Sequence, residues 1–452
     1  MGKRRKQMRA AVDRDVISSL PDEILCHILS FLPTRTSVAT SVLSRRWRYL
    51  WKKVHVLDLN DDFLFTPERS HDEAKGRFLN LLYEFEPLLA PIRKFRLSCW
   101  VGGNGYRDLL DWIDYFIRNV SELYFSLRSD GRIYNWDAFF FYNKSLVSLV
   151  LDGNMNILLD YSDPTASKTI FPSLQNLELH INHLNLDVLL SGCPALETLK
   201  FRTDDTDFAS EAIHMPRPLK SLTFEEQYSH SENVTLELLE VNTPSLEYLC
   251  LRLRGCYKQI LVCDYPNVKK ACLDIFLKPR HVAWVPKLLR ALCKTKFLWL
   301  QVSTIECLIR APVLDLPDFC NLIQLQLDFY RFNSRLLIDL LRNCPKLQAL
   351  KIYTSEFIDD HLRKSYRNSH KRNGWTQPLS VPNCIVSHLN TVEYRGYQDT
   401  PEEHEFTAYI LQRGLVLKTM RIHAKYDDLG LKRHMALSEI QRGSSMCRLE
   451  VH

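Results

Sequence analysis

The feature that most constrains the fold is an apolar pattern, L-x-x-L-x-L, which recurs with conservative replacements along most of the chain after residue 53. Successive copies mostly begin 22 to 29 residues apart, a period typical of proteins built from stacked repeats. One repeat cannot bury its own apolar edge, so the pattern predicts a stacked array. Clear copies begin at Leu146, Leu174, Leu196, Leu219, Leu246, Leu322 and Leu347, and weaker ones at Ile92, Val120, Val268, Phe297, Leu389 and Leu417.

The last two apolar positions of each copy predict a short strand that buries both, because alternate side chains of a strand share a face. In the copy that begins at Phe297 these positions are Leu300 and Val302. The residue between the two should point outward, and the outward set is mixed in charge, which suits a protein or peptide better than a polyanion. For any one of these outward residues, the alternative to target binding is that it is only part of a solvated strand face. The predicted substrate-binding residues are Tyr124, Glu178, Lys200, Thr223, Gln301, Gln326 and Lys351, and other outward positions are Arg96, Val150, Cys250, Cys272 and Arg421.

The N-terminal region predicts two helices with more apolar surface than they can enclose. A helix is expected from about Pro21 to Leu32, with one broad apolar stripe, and Pro33 ends it. A second helical stretch begins near Thr36, and two tryptophans and a tyrosine lie within five residues after Arg46. A unit of ~40 residues buries a low fraction of its surface, so part of this apolar surface should contact another chain.

These residues resemble the F-box, whose matching segments here are Leu20-Pro21-Asp22-Glu23-Ile24-Leu25, Ile28-Leu29-Ser30-Phe31-Leu32-Pro33, Thr40-Ser41-Val42-Leu43-Ser44-Arg45-Arg46-Trp47-Arg48 and Leu50-Trp51. F-box proteins dock on the Skp adaptor of cullin–RING ubiquitin ligases. The resemblance implies that the apolar residues of these segments divide between internal packing and adaptor contact, in proportions that the sequence leaves open. The implied adaptor-binding residues are Leu20, Pro21, Ile24, Leu25, Ile28, Leu29, Val42, Leu43, Trp47 and Trp51. A plain helical hairpin packed on the array is the alternative.

The charge is unevenly placed along the chain. Residues 1–53 hold 12 Lys and Arg against 4 Asp and Glu, whereas the remainder holds 47 against 49. This near-neutral remainder argues against a long nucleic-acid-binding face, which would concentrate basic residues. The run Lys3-Arg4-Arg5-Lys6 is either a nuclear-import signal or a solvated tail. With no membrane-length apolar run, we expect the nucleus and/or cytoplasm, and no membrane partner.

The C-terminal region predicts an exposed insert followed by a strand, a helix and a strand. The insert carries Arg363, Lys364, Arg367, Lys371 and Arg372, which are solvated surface or a phosphate-binding cluster. The later segment, with a helix over 401–413, a C-cap at Gly414 and strands at Leu389 and Leu417, resembles the FBD domain of plant-type F-box/leucine-rich-repeat proteins. The resemblance assigns it no chemistry.

The sequence therefore predicts an α/β chain: a small helical F-box, a curved leucine-rich-repeat solenoid and a C-terminal α/β FBD cap. The expected boundaries are a basic tail at 1–12, the F-box segment at 13–55, the repeat array at 56–380 and the FBD and cap at 381–452.

No nucleophile–base pair, metal-ligand spacing or phosphate loop is recognisable, so we expect no cofactor, no metal and no catalysis. The resemblance implies a noncatalytic receptor subunit of an SCF-type ubiquitin ligase that binds the Skp adaptor and, through it, cullin and RING subunits, together with a target protein. A scaffold with a vestigial F-box and a small-molecule receptor are the alternatives.

Overall fold

The computed structural model describes most of the chain, which divides into two compact units, Met1–Met155 and Asn156–His452. The described residues are 16–65, 71–83, 91–101, 109, 112, 113, 117, 119–129, 134–136, 143–153, 155–157, 171–181, 186–203, 212–226, 238–254, 259–262, 267–276, 282, 284–311, 314–354, 374–425 and 437–452. Two predictions lie outside them: the roles of the basic tail and of the insert with Arg363 and its neighbours.

The first unit begins with short helices and continues as a parallel sheet. Its helices are α1 Val16–Ser19, α2 Asp22–Leu29, α3 Thr34–Ala39 and α4 His71–Tyr83, with 3-10 segments at Thr40–Val42, Trp47–Lys53 and Asp62–Leu64. Its strands are β1 Val56–Asn60, β2 Lys94–Trp100, β3 Glu122–Arg128, β4 Tyr134–Trp136 and β5 Ser148–Gly153, and β6 Met155–Ile157 follows. Helix α2 ends at Leu29, three residues earlier than predicted, because the chain tightens into i→i−3 hydrogen bonds before Pro33.

Strands β1, β2, β3 and β5 pair in that order, all parallel and in register. The predicted copies at Ile92, Val120 and Leu146 each lead into one of these strands, whereas β1 was not predicted. Along each strand buried and exposed side chains alternate, so the apolar rows stack into the core as the period of two requires. Strand β5 ends at Gly153, whose φ of 130° and approach to the Leu127 carbonyl leave no room for a Cβ.

The second unit repeats the same strand-and-return plan. Its helices are α5 Leu186–Ser191, α6 Trp284–Ala291, α7 Val302–Arg310, α8 Ser334–Arg342, α9 Asn383–Ser387 and α10 Pro401–Arg413. Its strands are β7 Asn176–His180, β8 Thr198–Thr203, β9 Ala212–His214, β10 Ser221–Glu226, β11 Leu238–Val241, β12 Tyr248–Leu253, β13 Gln259–Val262, β14 Lys270–Ile275, β15 Phe297–Leu300, β16 Gln324–Phe329, β17 Ala349–Thr354, β18 Thr391–Tyr397, β19 Thr419–Ala424 and β20 Arg448–Val451.

One long parallel sheet organises this unit. Its described strands follow the order β7-β8-β10-β12-β14-β15-β16-β17-β18-β19-β20, and β9, β11 and β13 form a second, smaller parallel sheet. Leu325 lies opposite Leu350, and Leu327 opposite Ile352, so the apolar positions of neighbouring repeats stack in continuous buried rows. Every predicted copy in this unit except the one at Phe297 leads into a strand of the long sheet, which confirms the repeat array as the source of the core.

The register predicted for the copy at Phe297 is wrong. In β15 the buried residues are Leu298 and Leu300, whereas Phe297 is 38% exposed and Val302 begins helix α7. The position of the first leucine is taken by Thr295, which is buried. Because a polar residue occupies the position of the first leucine, the leucine pattern predicts the strand two residues too far along the chain.

The C-terminal segment confirms the predicted strand, helix and strand, and adds β20. Helix α10 starts with a capping box, in which the Thr400 side chain accepts from the Glu403 N–H while Glu403 accepts from the Thr400 N–H, and it ends at Gly414 as predicted. Glu403 also accepts a 2.6 Å hydrogen bond from the buried Tyr394 hydroxyl, and Glu402 accepts from the N–H and hydroxyl of Ser334 at the start of α8. These bonds satisfy the carboxylates of Glu402 and Glu403 where the helix packs against the last repeats.

Candidate functional site

The F-box segment has its own small core. Leu25, Leu29, Trp47, Leu50 and Val54 form one buried cluster, which joins α2 to the 3-10 segment at Trp47–Lys53. Burying side chains of this size contributes roughly 1.5–3 kcal/mol each, which offsets the entropy of fixing such short helices. This core is closed without help from another protein.

Arg46 connects the start of the F-box segment to its later part through hydrogen bonds. Its guanidinium donates to the Ser18 carbonyl at 2.8 Å, to the Leu20 carbonyl, and to the Asp22 carboxylate at 2.9 Å. Lys53 reaches the other Asp22 oxygen at 3.3 Å, and hydrogen bonds from Arg46 and Lys53 lower the pKa of Asp22. Arg46 therefore positions the Leu20-Pro21 turn, a role that the sequence pattern did not reveal.

A second set of apolar side chains in the F-box segment faces solvent. Ile24 and Ile28 lie one turn apart on α2, and Phe31 follows three residues later, just beyond the helix. Val42 and Leu43 end the next helical stretch. Exposure ranges from 42% for Ile28 to 86% for Val42. So many large exposed apolar residues in one short segment are typical of a protein-binding surface. We call Ile24, Ile28, Phe31, Val42 and Leu43 the F-box apolar surface.

The structure separates the predicted adaptor-binding residues by burial. Leu25, Leu29 and Trp47 belong to the buried cluster, so they support the surface and do not form it. The more accessible members are Pro21, Ile24, Ile28, Val42 and Leu43, and the half-buried members are Leu20 and Trp51. The prediction left out Phe31 and Tyr49, which are 74% and 54% exposed. Their solvent exposure, unlike the motif itself, depends on tertiary packing.

The outward strand positions of the first unit carry Tyr124, as predicted. The Arg96 guanidinium lies 5.8 Å from the centre of its ring, and Asp58 of β1 stands opposite Arg96 across the ladder. Burial raises the pKa of Asp58. Such a mixture can make directional contacts with a polypeptide.

At both ends of the long sheet of the second unit, outward charges are neutralised by their neighbours. Lys200 lies 3.2 Å from Glu178, which pairs two predicted residues. Towards the other end, the ladder runs Lys351, Glu393, Arg421 and Glu450, with alternating charges and ion pairs of 3.9 Å for Lys351–Glu393 and 2.8 Å for Arg421–Glu450. The sequence prediction missed Glu393 and Glu450.

Gln301 does not occupy the predicted outward strand position. The register places Trp299 between Cys272 and Gln326, whereas Gln301 is the N-cap residue of α7, with its side-chain amide 3.2 Å from the Cys272 sulfur. The strand of this repeat lies two residues earlier than the pattern predicts, so Trp299 takes the outward position. The half-buried Trp299 was therefore missed, although Leu298 and Leu300 flank it in the expected alternation.

Small side chains lie next to Trp299. Cys250 and Cys272 are neighbours across the ladder and are both buried, and Thr223 beyond them is half-buried. A hydrogen bond with Cys250 and burial raise the pKa of the Cys272 thiol, which therefore stays protonated. These residues form an uncharged surface next to Trp299.

A hydrogen-bonded cluster lies on the other side of Trp299. The indole Nε1–H donates to Asp328 at 2.8 Å, and the Gln326 side-chain amide donates to the other Asp328 oxygen at 3.3 Å. Burial raises the pKa of Asp328 to about 6, against the opposing effect of the two hydrogen bonds. Nearby, Asp274 pairs with the Arg254 guanidinium, which also contacts the Ser303 hydroxyl at 3.2 Å.

Neither a metal-binding cluster nor a membrane-spanning helix is present in the part of the chain that the structure describes. No group of three or more His, Cys, Asp or Glu side chains there is arranged to hold a metal ion. None of the described helices combines the length and apolar character needed to cross a membrane.

Three family models match separate parts of the chain. The F-box domain matches residues 17–59, the leucine-rich repeats described for the FBD-associated F-box protein At5g56370 match 111–271, and FBD matches 377–422. These matches coincide with the F-box segment, with strands of both units, and with the strand–helix–strand segment around α10.

Relatives from Arabidopsis thaliana align over nearly the whole chain. The F-box/FBD/LRR-repeat relative At5g56810 is 30% identical over 97% of this chain and 96% of its own length. The F-box/FBD/LRR-repeat protein At4g26340 is 27% identical over 96% of this chain and 99% of its own length. The FBD-associated F-box protein At5g60610 is 29% identical over 90% and 99%. With an N-terminal F-box, a leucine-rich-repeat region and a C-terminal FBD segment in one α/β chain, this protein belongs to the F-box/FBD/LRR-repeat family.

Proposed function

We propose that this chain is the noncatalytic substrate-recognition subunit of an SCF-type cullin–RING E3 ubiquitin ligase. The F-box segment binds a Skp-type adaptor, which connects it to cullin and RING subunits, and the outward strand face binds the target protein. The ligase then accelerates ubiquitin transfer by holding the target near the charged enzyme. The protein acts in the nucleus and/or cytoplasm and takes no cofactor.

The F-box apolar surface is the observation that carries the proposal. Leu25, Leu29 and Trp47 already close the internal core, so Ile24 and Ile28 are not needed to hold the helices together. Ile24 and Ile28 are 45% and 42% exposed, so burying the rest of both side chains against a partner contributes roughly 1–3 kcal/mol before the cost of association. An F-box that served only as packing for the rest of the chain would have little reason to keep them exposed.

The test is capture of a Skp-type adaptor and its cullin by the full chain. Ile24→Asp combined with Ile28→Asp should reduce adaptor affinity at least about 100-fold, because two charges would be desolvated in an apolar interface. Leu415→Asp is the matched control, since Leu415 is 55% exposed and lies outside the F-box segment. It should capture the adaptor like the unmodified chain.

Exposed positions make the test specific, because a charge at buried Leu25 would disrupt the F-box core itself. Thermal unfolding of each variant checks that the fold is kept. If the unmodified chain captures no adaptor, or if the Ile24 and Ile28 variant binds it as well as the Leu415 control does, the proposed function is wrong. A scaffold with a vestigial F-box would give the first of these results.

A further inference from the structure

Among the described residues of the second unit, one acidic group on the outward face has no neighbouring cation to neutralise it. Glu178, Glu225, Asp274, Glu393 and Glu450 each have a cationic side chain within ion-pair distance. In the described part of the chain, Asp328 has no such partner, and its contacts are with the neutral donors of Trp299 and Gln326.

The described neighbours of Asp328 leave its negative charge without an ion-pair partner. Across the ladder it lies opposite Tyr353 of β17, and on the β15 side it accepts from the neutral Trp299 indole. Asp274, one strand further, raises the pKa of Asp328 through charge repulsion, although Arg254 pairs with Asp274. The nearest cations on β17 and β18 are committed elsewhere: Lys351 pairs with Glu393, and Arg395 pairs with Glu393 and lies over the Tyr353 ring.

The two hydrogen bonds hold Asp328 in a fixed orientation beside aromatic surface. Its two oxygens are each engaged by one neutral donor, which leaves further lone pairs available for an incoming donor. Trp299 and Tyr353 flank it on adjacent strands, and the 38% exposed Phe297 lies two residues before Trp299 on the same face. A carboxylate among aromatic rings matches a cation that carries an apolar stem.

We propose that Asp328 and Trp299 form a recognition site for a lysine or arginine side chain of the target protein. The cationic group donates to the Asp328 carboxylate, and its methylene stem packs on the indole. The paired charges at the two ends of the face lie outside this site. The proposal deepens the target-binding part of the proposed function, on which it rests, by naming the side-chain class that the face selects.

The experiment uses the full-length chain and a randomised dodecapeptide library displayed on phage. Selection on the unmodified chain should enrich peptides that share one basic position, and lysine or arginine at that position is read directly from the sequences. Asp328→Asn should lose this preference, because the asparagine keeps an acceptor for Trp299 but has no charge. Glu247→Gln is the matched control and should select the same peptides as the unmodified chain, since Glu247 is ion-paired with Lys269 and precedes strand β12.

One selected peptide, synthesised with norleucine at the basic position, separates recognition from folding. The norleucine peptide should bind the unmodified chain about 10- to 100-fold more weakly, as expected for a charge-assisted hydrogen bond, and bind the Asp328→Asn chain no more weakly than its parent peptide does. Lowering the pH to about 5 should weaken binding of the parent peptide to the unmodified chain but not to the Asp328→Asn chain, because Asp328 then becomes protonated.

A selection without a basic position, a selection that enriches nothing, or the same basic preference in Asp328→Asn would overturn the inference. Adaptor capture by the same preparations keeps this result apart from the proposed function. Capture that persists while the peptide preference is absent refutes the cation site alone. Loss of capture with a persistent preference refutes the ligase role alone.

Discussion

Replacing Asp328 with asparagine should make the second unit more stable at neutral pH. The pKa of Asp328 rises from its ordinary value of 3.8 to about 6, so folding at pH 7 places an ionised carboxylate where burial disfavours it. A shift of about two pKa units corresponds to at most roughly 3 kcal/mol, and partial exposure to solvent reduces this to about 1–2 kcal/mol. Asparagine removes the charge and can still accept from the Trp299 indole.

The sign of the pH dependence follows from proton uptake on folding. Because the folded pKa is the higher one, the protonated carboxyl is favoured in the folded state, and the unmodified chain is relatively more stable at low pH. This contribution is complete below about pH 4 and is lost as the pH rises through about 6. Between about pH 8 and pH 5, the unmodified chain should therefore gain about 1 kcal/mol relative to Asp328→Asn.

Urea unfolding followed by circular dichroism measures this difference, with both proteins at both pH values. All other titrating groups are shared, so the difference between the two proteins isolates Asp328. Asp274→Asn is the control of opposite sign, because it leaves the Arg254 guanidinium without its carboxylate and should destabilise the unit by about 1–3 kcal/mol at pH 8. An Asp328→Asn protein that is less stable than the unmodified chain at pH 8, or whose offset is the same at both pH values, would refute the reasoning.

Two further predictions concern the C-terminal segment. Gly396→Ala should destabilise the fold by about 2 kcal/mol or more, because φ is 78° and the added Cβ would lie 2.1 Å from the Thr354 carbonyl oxygen, whereas Gly374→Ala, with open space around it, should change little. Equal unfolding midpoints for the two alanine variants would contradict this. Thr400→Ala should cost about 1 kcal/mol by removing the capping box of α10, and Thr400→Ser should restore most of it. An alanine variant as stable as the serine variant would show that the cap is not stabilising.

Periodicity predicted the strands because each repeat must bury the same side of the same short strand. Leu325, Leu327, Leu350 and Ile352 could be placed in stacked rows without any structure. The prediction failed where the anchor was not apolar, since Thr295 is buried like the leucines it replaces but gives no hydrophobic signal. A missing anchor shifts the reading by two residues, which retains the inside–outside alternation but moves the predicted strand.

The site was harder to predict than the fold because exposure and pairing are tertiary properties. The F-box motif identified Leu25 and Ile24 together, yet only packing shows that the first is buried and the second exposed. On the strand face the sequence placed Gln326 correctly but could not show that its amide donates to Asp328. Charge balance likewise depends on which strands become neighbours.

In-register parallel strands impose a rule on any charge that points out of this face. Each outward residue lies one strand spacing, about 4.8 Å, from its counterparts in the adjacent repeats, so neighbouring like charges repel and opposite ones pair. The run from Lys351 to Glu450 obeys the rule by alternating sign, which leaves little net charge to attract a partner. A charge remains available for binding only where both ladder neighbours are neutral. Asp328 meets that condition, because Tyr353 lies opposite it on β17 and its contact on the β15 side is the neutral Trp299 indole. The cost of keeping Asp328 ionised there is the stability that Asp328→Asn should recover.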